Sequence, residues 1–127
     1  MEVRDLVGIP YRMHGRGRDG MDCYGLVIEV ERRAGKSVPD AFYDVHSTRD
    51  NEDAARKIDA LMGGITARPL PAPKPYCIVG IAMHGRDISH VGVYLGDGMF
   101  IHCTEVAGVC VQPVARYSHL IKGYFEV

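Results

Sequence analysis

The spacing of apolar residues changes part-way along the chain, and the change divides it in two. From residue 22 to 35, Leu26, Val27, Val30 and Ala34 fall at i, i+1, i+4 and i+8, a helical stripe, with Glu29, Glu31, Arg32 and Arg33 mostly on the other face. Asp22 is placed as an N-cap and Gly35 as a stop, so the pattern predicts a helix of about twelve residues opening at Cys23. A second helix is expected from about Asp50 to Met62, with Ala54, Ile58, Leu61 and Met62 inside and Gly63-Gly64 at its end. Pro69, Pro71, Pro73 and Pro75 then read as a rigid connector excluded from any sheet. Beyond it the period becomes two. Cys77 to Met83 and Ser89 to Leu95 are expected strands, the latter with Val91, Val93 and Leu95 on one face and His90, Gly92 and Tyr94 on the other. Gly96-Asp97-Gly98 is a tight turn and Met99 to Thr104 the return strand. Val109 to Val114 and Gly123 to Val127 are further strands, joined by a turn or short helix around Arg116 to Leu120. Ahead of the first helix, Gly8-Ile9-Pro10-Tyr11 turns into an extended segment, and the Gly-rich run His14 to Gly20 is a loop. Helices followed by a run of antiparallel strands make an α+β layout.

Length and charge narrow the classes. A chain of 127 residues is one domain, 1–127, with 46% apolar and 24% charged residues, the balance of a globular protein. Fifteen Lys+Arg against sixteen Asp+Glu provide no basic surface for nucleic acid. No apolar run approaches the ~18 residues that span a bilayer, so no membrane insertion is expected. The opening Met1-Glu2-Val3-Arg4-Asp5 has no apolar core and does not read as a secretory signal, which leaves synthesis in the cytoplasm as the expectation. Cys23, Cys77, Cys103 and Cys110 permit two disulfides in three pairings, but the chain is long enough for a core without staples. The favoured reading makes three of them small core hydrophobes and one chemical. There is no C-x-x-C, and Cys103 and His102, adjacent on a strand, point to opposite faces, so no metal or other cofactor is expected.

Cys23 is the chemical candidate. At the first turn of a helix, exposed N–H groups and the helix dipole favour the thiolate, and the same N–H groups can meet a developing oxyanion. His90 and His102 flank the hairpin turn. Residues whose numbers sum to about 194 oppose one another there; His90 and His102 sum to 192, on the same face and nearly opposed. Two imidazoles so placed suit a base and the group that orients it. Tyr11, ahead of the loop, carries a phenol able to donate to an oxyanion, although packing is the commoner role for such a residue. Arg16 and Arg18 read as a solvated loop rather than a carboxylate clamp, and His14, His46, His84 and His119 have no evident partner.

Four segments carry a resemblance: Gly8-Ile9-Pro10-Tyr11, Asp22-Cys23-Tyr24-Gly25-Leu26-Val27, His90-Val91-Gly92-Val93-Tyr94-Leu95-Gly96 and Met99-Phe100-Ile101-His102. Together they resemble the NlpC/P60 family of papain-like cysteine peptidases, over nearly the whole chain. The resemblance implies N-terminal helices packed on an antiparallel sheet of about five strands. It implies Cys23 as nucleophile, His90 as general base and acid, His102 as the orienting third residue, and Tyr11 beside the Cys23 N–H at the oxyanion. Asp22 and the residue after the cysteine, here Tyr24 in place of the usual Ser, would read the amino end of the substrate. The implied substrate is a peptidoglycan stem peptide, cut between γ-D-glutamyl and a diamino acid. The Asp-Cys-Tyr-Gly variant looks like the branch found in phage tail-tip assembly proteins, which implies tail proteins as neighbours. Two other readings stay open: a structural or wall-binding tail module without catalysis, and a papain-like amidase or acyltransferase with another substrate.

Overall fold

A computed structural model describes residues 2–40, 67–83 and 85–127. The helix expected from Asp50 to Met62, and His46 and His84, lie outside the described residues. Asp22 caps α1 (Cys23–Arg33) through its carboxylate, which accepts from the Gly25 N–H at 2.7 Å. At the far end Gly35 takes a φ of +84°, and the Gly35 and Lys36 N–H groups return to the carbonyls of Arg32 and Glu31, a Schellman stop.

The Gly-rich run, expected to be a loop, holds a two-residue ribbon, β1 (Arg16–Gly17) against β2 (Gly20–Met21). Six further strands follow: β3 (Arg68–Leu70), β4 (Ile78–Ile81), β5 (His90–Gly96), β6 (Met99–Thr104), β7 (Gly108–Pro113) and β8 (Ile121–Glu126). They form one antiparallel sheet in the order β3-β8-β4-β5-β6-β7. The layout is the expected α+β, with one strand more than the five anticipated. The added strand is β3, and it corrects the reading of the proline connector: Pro69 lies in the sheet, opposite Phe125. β3 is an edge strand, where a residue without an N–H can turn that side away from the ladder.

The β5–β6 hairpin closes through Asp97 and Gly98, with φ of 54° and 77°, the paired positive values of a two-residue I′ turn. The register opposes Gly92 to His102 and Val93 to Ile101, pairs that sum to 194. Val91, Val93, Ile101 and Cys103 pack with Leu26, Val27 and Val30 of α1 in the main core. Each fully buried Leu or Val here contributes about 1.5–3 kcal/mol through the water it excludes. A smaller cluster, Val79, Ile81 and Phe100, is covered by Tyr117, Val114 and Leu120 around the 3₁₀ turn Val114–Tyr117.

One helix position departs from expectation. Glu31, placed on the polar face, is wholly buried. The buried stripe runs through Cys23, Tyr24, Val27, Val30 and Glu31, so helical geometry carries the carboxyl inward whatever its polarity.

Candidate active site

Five separate stretches meet at one cavity. Its volume is about 200 Å³, and Tyr11, Cys23, His90, His102, Cys103 and Tyr117 are among its walls, with Met83, Glu105 and Val106 also lining it. Cys23 arrives as the first residue of α1 and is 2% exposed. Its position is fixed by the loop before it. Asp22 accepts from Arg16 Nη1 at 2.8 Å and from the His14 N–H at 3.2 Å in addition to its cap bond, and Arg16 reaches on to Asp40 with two further bonds. Arg16 is therefore paired within the protein, as is Arg18, which donates to Asp5. Gly25 is required here, because a Cβ on it would sit 2.3 Å from the Gly15 carbonyl oxygen.

Tyr11 is set beside this turn by backbone pairing. Tyr11 bridges to Met21, the Met21 N–H donates to the Pro10 carbonyl, and the Arg12 N–H donates to the Met21 carbonyl, both at 3.0 Å. Burial, then the nearby charge of Cys23, pushes the Tyr11 phenol up to about 12, so it keeps its proton and its ability to donate. The Cys103 thiol donates to the same Met21 carbonyl at 3.1 Å and is pushed up to about 12, chiefly by burial. Of the cavity's two thiols, Cys103 is thus held protonated and poorly nucleophilic.

The imidazole wall comes from the hairpin. His90 Nε2 lies 2.8 Å from His102 Nδ1, with the rings edge to face at 5.1 Å. They meet diagonally because the residue directly opposite His102 is Gly92. A Cβ there would come within 3.0 Å of His102 Cβ and 2.8 Å of Phe100 Cδ2. His102 also stacks on Phe100 at 4.3 Å. Burial lowers the pKa of both rings, and at His90 the charge of His102 lowers it further, so both rest neutral at pH 7.

Two neighbours of this wall were not singled out from the sequence. Gln112 Oε1 lies 2.7 Å from His102 Nε2, and the Tyr117 hydroxyl donates to that oxygen at 3.0 Å. Asp22 and Tyr24, expected at the substrate's amino end, direct their polar atoms into the protein, and neither lines the cavity. Tyr24 is 2% exposed, and its hydroxyl donates to the Pro39 carbonyl at 2.5 Å. Among the described residues no group of three His, Cys, Asp or Glu side chains is placed to hold a metal ion.

The sequence model of the family described as NlpC/P60 family matches residues 8–125. The chain belongs to the NlpC/P60 family. It is 32% identical, over 112 residues, to a protein of Mycobacterium tuberculosis named "Probable endopeptidase", covering 88% of this chain and 24% of that one. It is 25% identical over 114 residues to the murein DD-endopeptidase MepS/murein LD-carboxypeptidase of Escherichia coli, covering 89% of this chain and 52% of the relative. The chain thus spans from about a quarter to about half of the length of these two relatives. The solved NlpC/p60 domain of the peptidoglycan hydrolase SagA shares the fold, with a TM-score of 0.65 at 18% identity over 97% of this chain and 91% of that domain.

Proposed function

We propose that this chain is a cysteine peptidase of the bacterial cell wall that hydrolyses a peptidoglycan stem peptide through Cys23, His90 and His102. The observation that carries the reading is the meeting, in one cavity, of a cysteine at a helix start with a hydrogen-bonded imidazole pair. The family and the named endopeptidase relatives support hydrolysis as the reaction and murein as the substrate.

The sequence of events follows from the groups present. A neutral His90 takes the Cys23 proton as the sulfur attacks the scissile carbonyl. The oxyanion is met by the Cys23 N–H and by Tyr11, whose burial keeps the phenol protonated. His90 returns the proton to the leaving amine, the amide C–N bond breaks, and a thioester remains on Cys23. The same ring then draws a proton from water, which hydrolyses the thioester and frees the thiol. His102 holds the His90 ring throughout by the 2.8 Å bond. A cavity of about 200 Å³ accommodates the reacting bond and an adjoining side chain, with the rest of the substrate outside.

The bond cut is proposed as γ-D-glutamyl to diamino acid. Digestion of defined muropeptides, with the new termini identified by mass spectrometry, tests it: cleavage at that bond, lost in Cys23→Ala, is expected. Cleavage at a D,D bond would keep the peptidase and change its specificity. Equal turnover by Cys23→Ala would remove the peptidase reading. Iodoacetamide at pH 6 addresses a non-catalytic module, since a catalytic Cys23 is alkylated well ahead of Cys77, Cys103 and Cys110. The tail-associated setting, with tail proteins as partners and cytoplasmic synthesis before assembly, rests on the Asp22-Cys23-Tyr24-Gly25 variant, and co-purification with tail particles tests it.

A further inference from the structure

We propose that Gln112 is a positioning residue that decides which nitrogens of His90 and His102 carry protons. The inference rests on the peptidase reading for its effect on rate, but not for the proton arrangement itself.

Gln112 sits on β7 opposite Phe100, while His102 is opposite Cys110. Gln112 is thus the diagonal neighbour of His102 on one face, as His90 is across β5. After Pro113 the 3₁₀ turn Val114–Tyr117 doubles back and brings the Tyr117 ring edge-on to His102, at 5.4 Å and 80°. The Tyr117 hydroxyl donates to Gln112 Oε1 at 3.0 Å, and His102 Nε2 lies 2.7 Å from the same oxygen.

A carboxamide oxygen only accepts, so its second lone pair requires a proton on His102 Nε2. In a neutral ring Nδ1 is then bare, and it can only accept at the 2.8 Å contact with His90. His90 must therefore carry its proton on Nε2, which leaves Nδ1 bare to receive the proton of a thiol. The donors converge on the carboxamide oxygen: His90 to His102 and His102 to Gln112 from one side, Tyr117 to Gln112 from the other. If the carboxamide were turned to present its NH₂, every assignment would reverse. A proton would then occupy His90 Nδ1, the nitrogen that has to accept one. The structure places Oε1 against both groups, and the Tyr117 hydroxyl adds a second donor to that end.

Two-bond ¹H–¹⁵N spectra of the full chain with ¹⁵N-labelled histidine, at neutral pH and without substrate, read the tautomers directly. The Nε2–H form is expected at both His90 and His102; the Nδ1–H form at either overturns the proposal. In Gln112→Leu, His102 should become a mixture of tautomers and kcat should fall about 10–100-fold, with KM within about twofold, since a misplaced imidazole proton disables a base without removing it. Gln112→Glu keeps the acceptor. It should retain the Nε2–H form and recover most of kcat at pH 8, with the acid limb of the rate profile moved up because a carboxylate favours imidazolium. Tyr117→Phe removes one of the two donors and should give a smaller tautomer mixture and a loss of about two- to fivefold in kcat. Tautomers unchanged in Gln112→Leu and Tyr117→Phe, or Leu and Glu variants equally impaired, would reduce Gln112 to packing. If wild-type protein cuts no muropeptide, the peptidase reading fails while the spectra still decide the role of Gln112.

Discussion

α1 has a carboxylate at each end, and the fold treats the two oppositely. Asp22, before the first residue, receives three donors: the Gly25 N–H, Arg16 Nη1 and the His14 N–H. Glu31, in the last turns, is wholly buried, and among the described residues neither of its oxygens has a hydrogen-bond partner. Burial pushes the Glu31 carboxyl up to about 7, against a smaller downward pull from Lys36. The difference follows position. The start of the helix places Cys23 in the cavity wall, and a satisfied carboxylate ties that start to the loop carrying Arg16. The far end places no cavity residue, and there a carboxyl occupies an apolar stripe without compensation. A buried acid is tolerable because it can take a proton rather than remain charged.

Breaking the satisfied end should have the largest effect. Asp22→Ala removes the cap and strands a partly buried guanidinium bond, at a combined cost of about 2–4 kcal/mol. For a domain of this size that is a fall of about 8–15 °C in Tm by calorimetry. Asp22→Asn, which can still cap, should fall about half as far. A Tm unchanged in both would mean that the contacts at the helix start do not hold it.

The unsatisfied end predicts a gain. An acid that holds its proton more tightly folded than unfolded favours the folded state at low pH. As pH rises from the ordinary 4.5 to about 7, the unfolded chain loses its proton first and stability falls. The buried imidazoles, with lowered pKa, give the opposite slope below pH 6.5, so the readout is the difference between Glu31→Gln and wild type. That difference should be small at pH 4.5 and reach about 3 kcal/mol in favour of the variant by pH 8, in urea titrations. A difference independent of pH would show that Glu31 does not titrate inside the fold.

Tyr24 lies between these cases, on the same helix, with its hydroxyl donating to the Pro39 carbonyl. Tyr24→Phe keeps the packing and leaves that carbonyl without its phenol donor, so a loss of about 1 kcal/mol is expected by the same titration. A loss as large as that of Asp22→Ala would place the main anchor of α1 in its core contacts rather than at its cap.

The parts of this structure legible in the sequence are those set by local rules. The cap and stop of α1 are one-residue signals, and both hold. The hairpin register follows from a two-residue turn, and counting outward from Asp97 puts His90 and His102 on one face. The steps that failed needed partners far away in sequence. Glu31 is polar, yet it stands seven and eight residues after Tyr24 and Cys23 in the inward stripe, a spacing that outweighs its chemistry. Pro69 belongs to the sheet only through its edge position opposite Phe125 of β8, 56 residues on. The meaning of Gln112 depends on the β6–β7 register and on a 3₁₀ turn that returns Tyr117. The alternation of even-numbered residues from Cys110 was the available signal for it.

The smallest effect is expected where a carboxylate has as many donors as Asp22 but lies in water. Asp5 accepts from Arg33 at 2.7 and 2.9 Å and from Arg18 at 2.6 Å. Arg18 is 68% exposed and Asp5 38%. The guanidinium bonds hold the Asp5 carboxyl well below the usual range, that of Arg33 most of all. Even so, solvent screens such pairs, and Asp5 keeps Arg33 when Arg18 is removed. Arg18→Ala should move Tm by no more than about 2 °C, and less at 0.5 M salt. If it lowered Tm as far as Asp22→Ala does, the number of donors rather than burial would decide what a carboxylate is worth to this fold, and the contrast between the two ends of α1 would lose its physical basis.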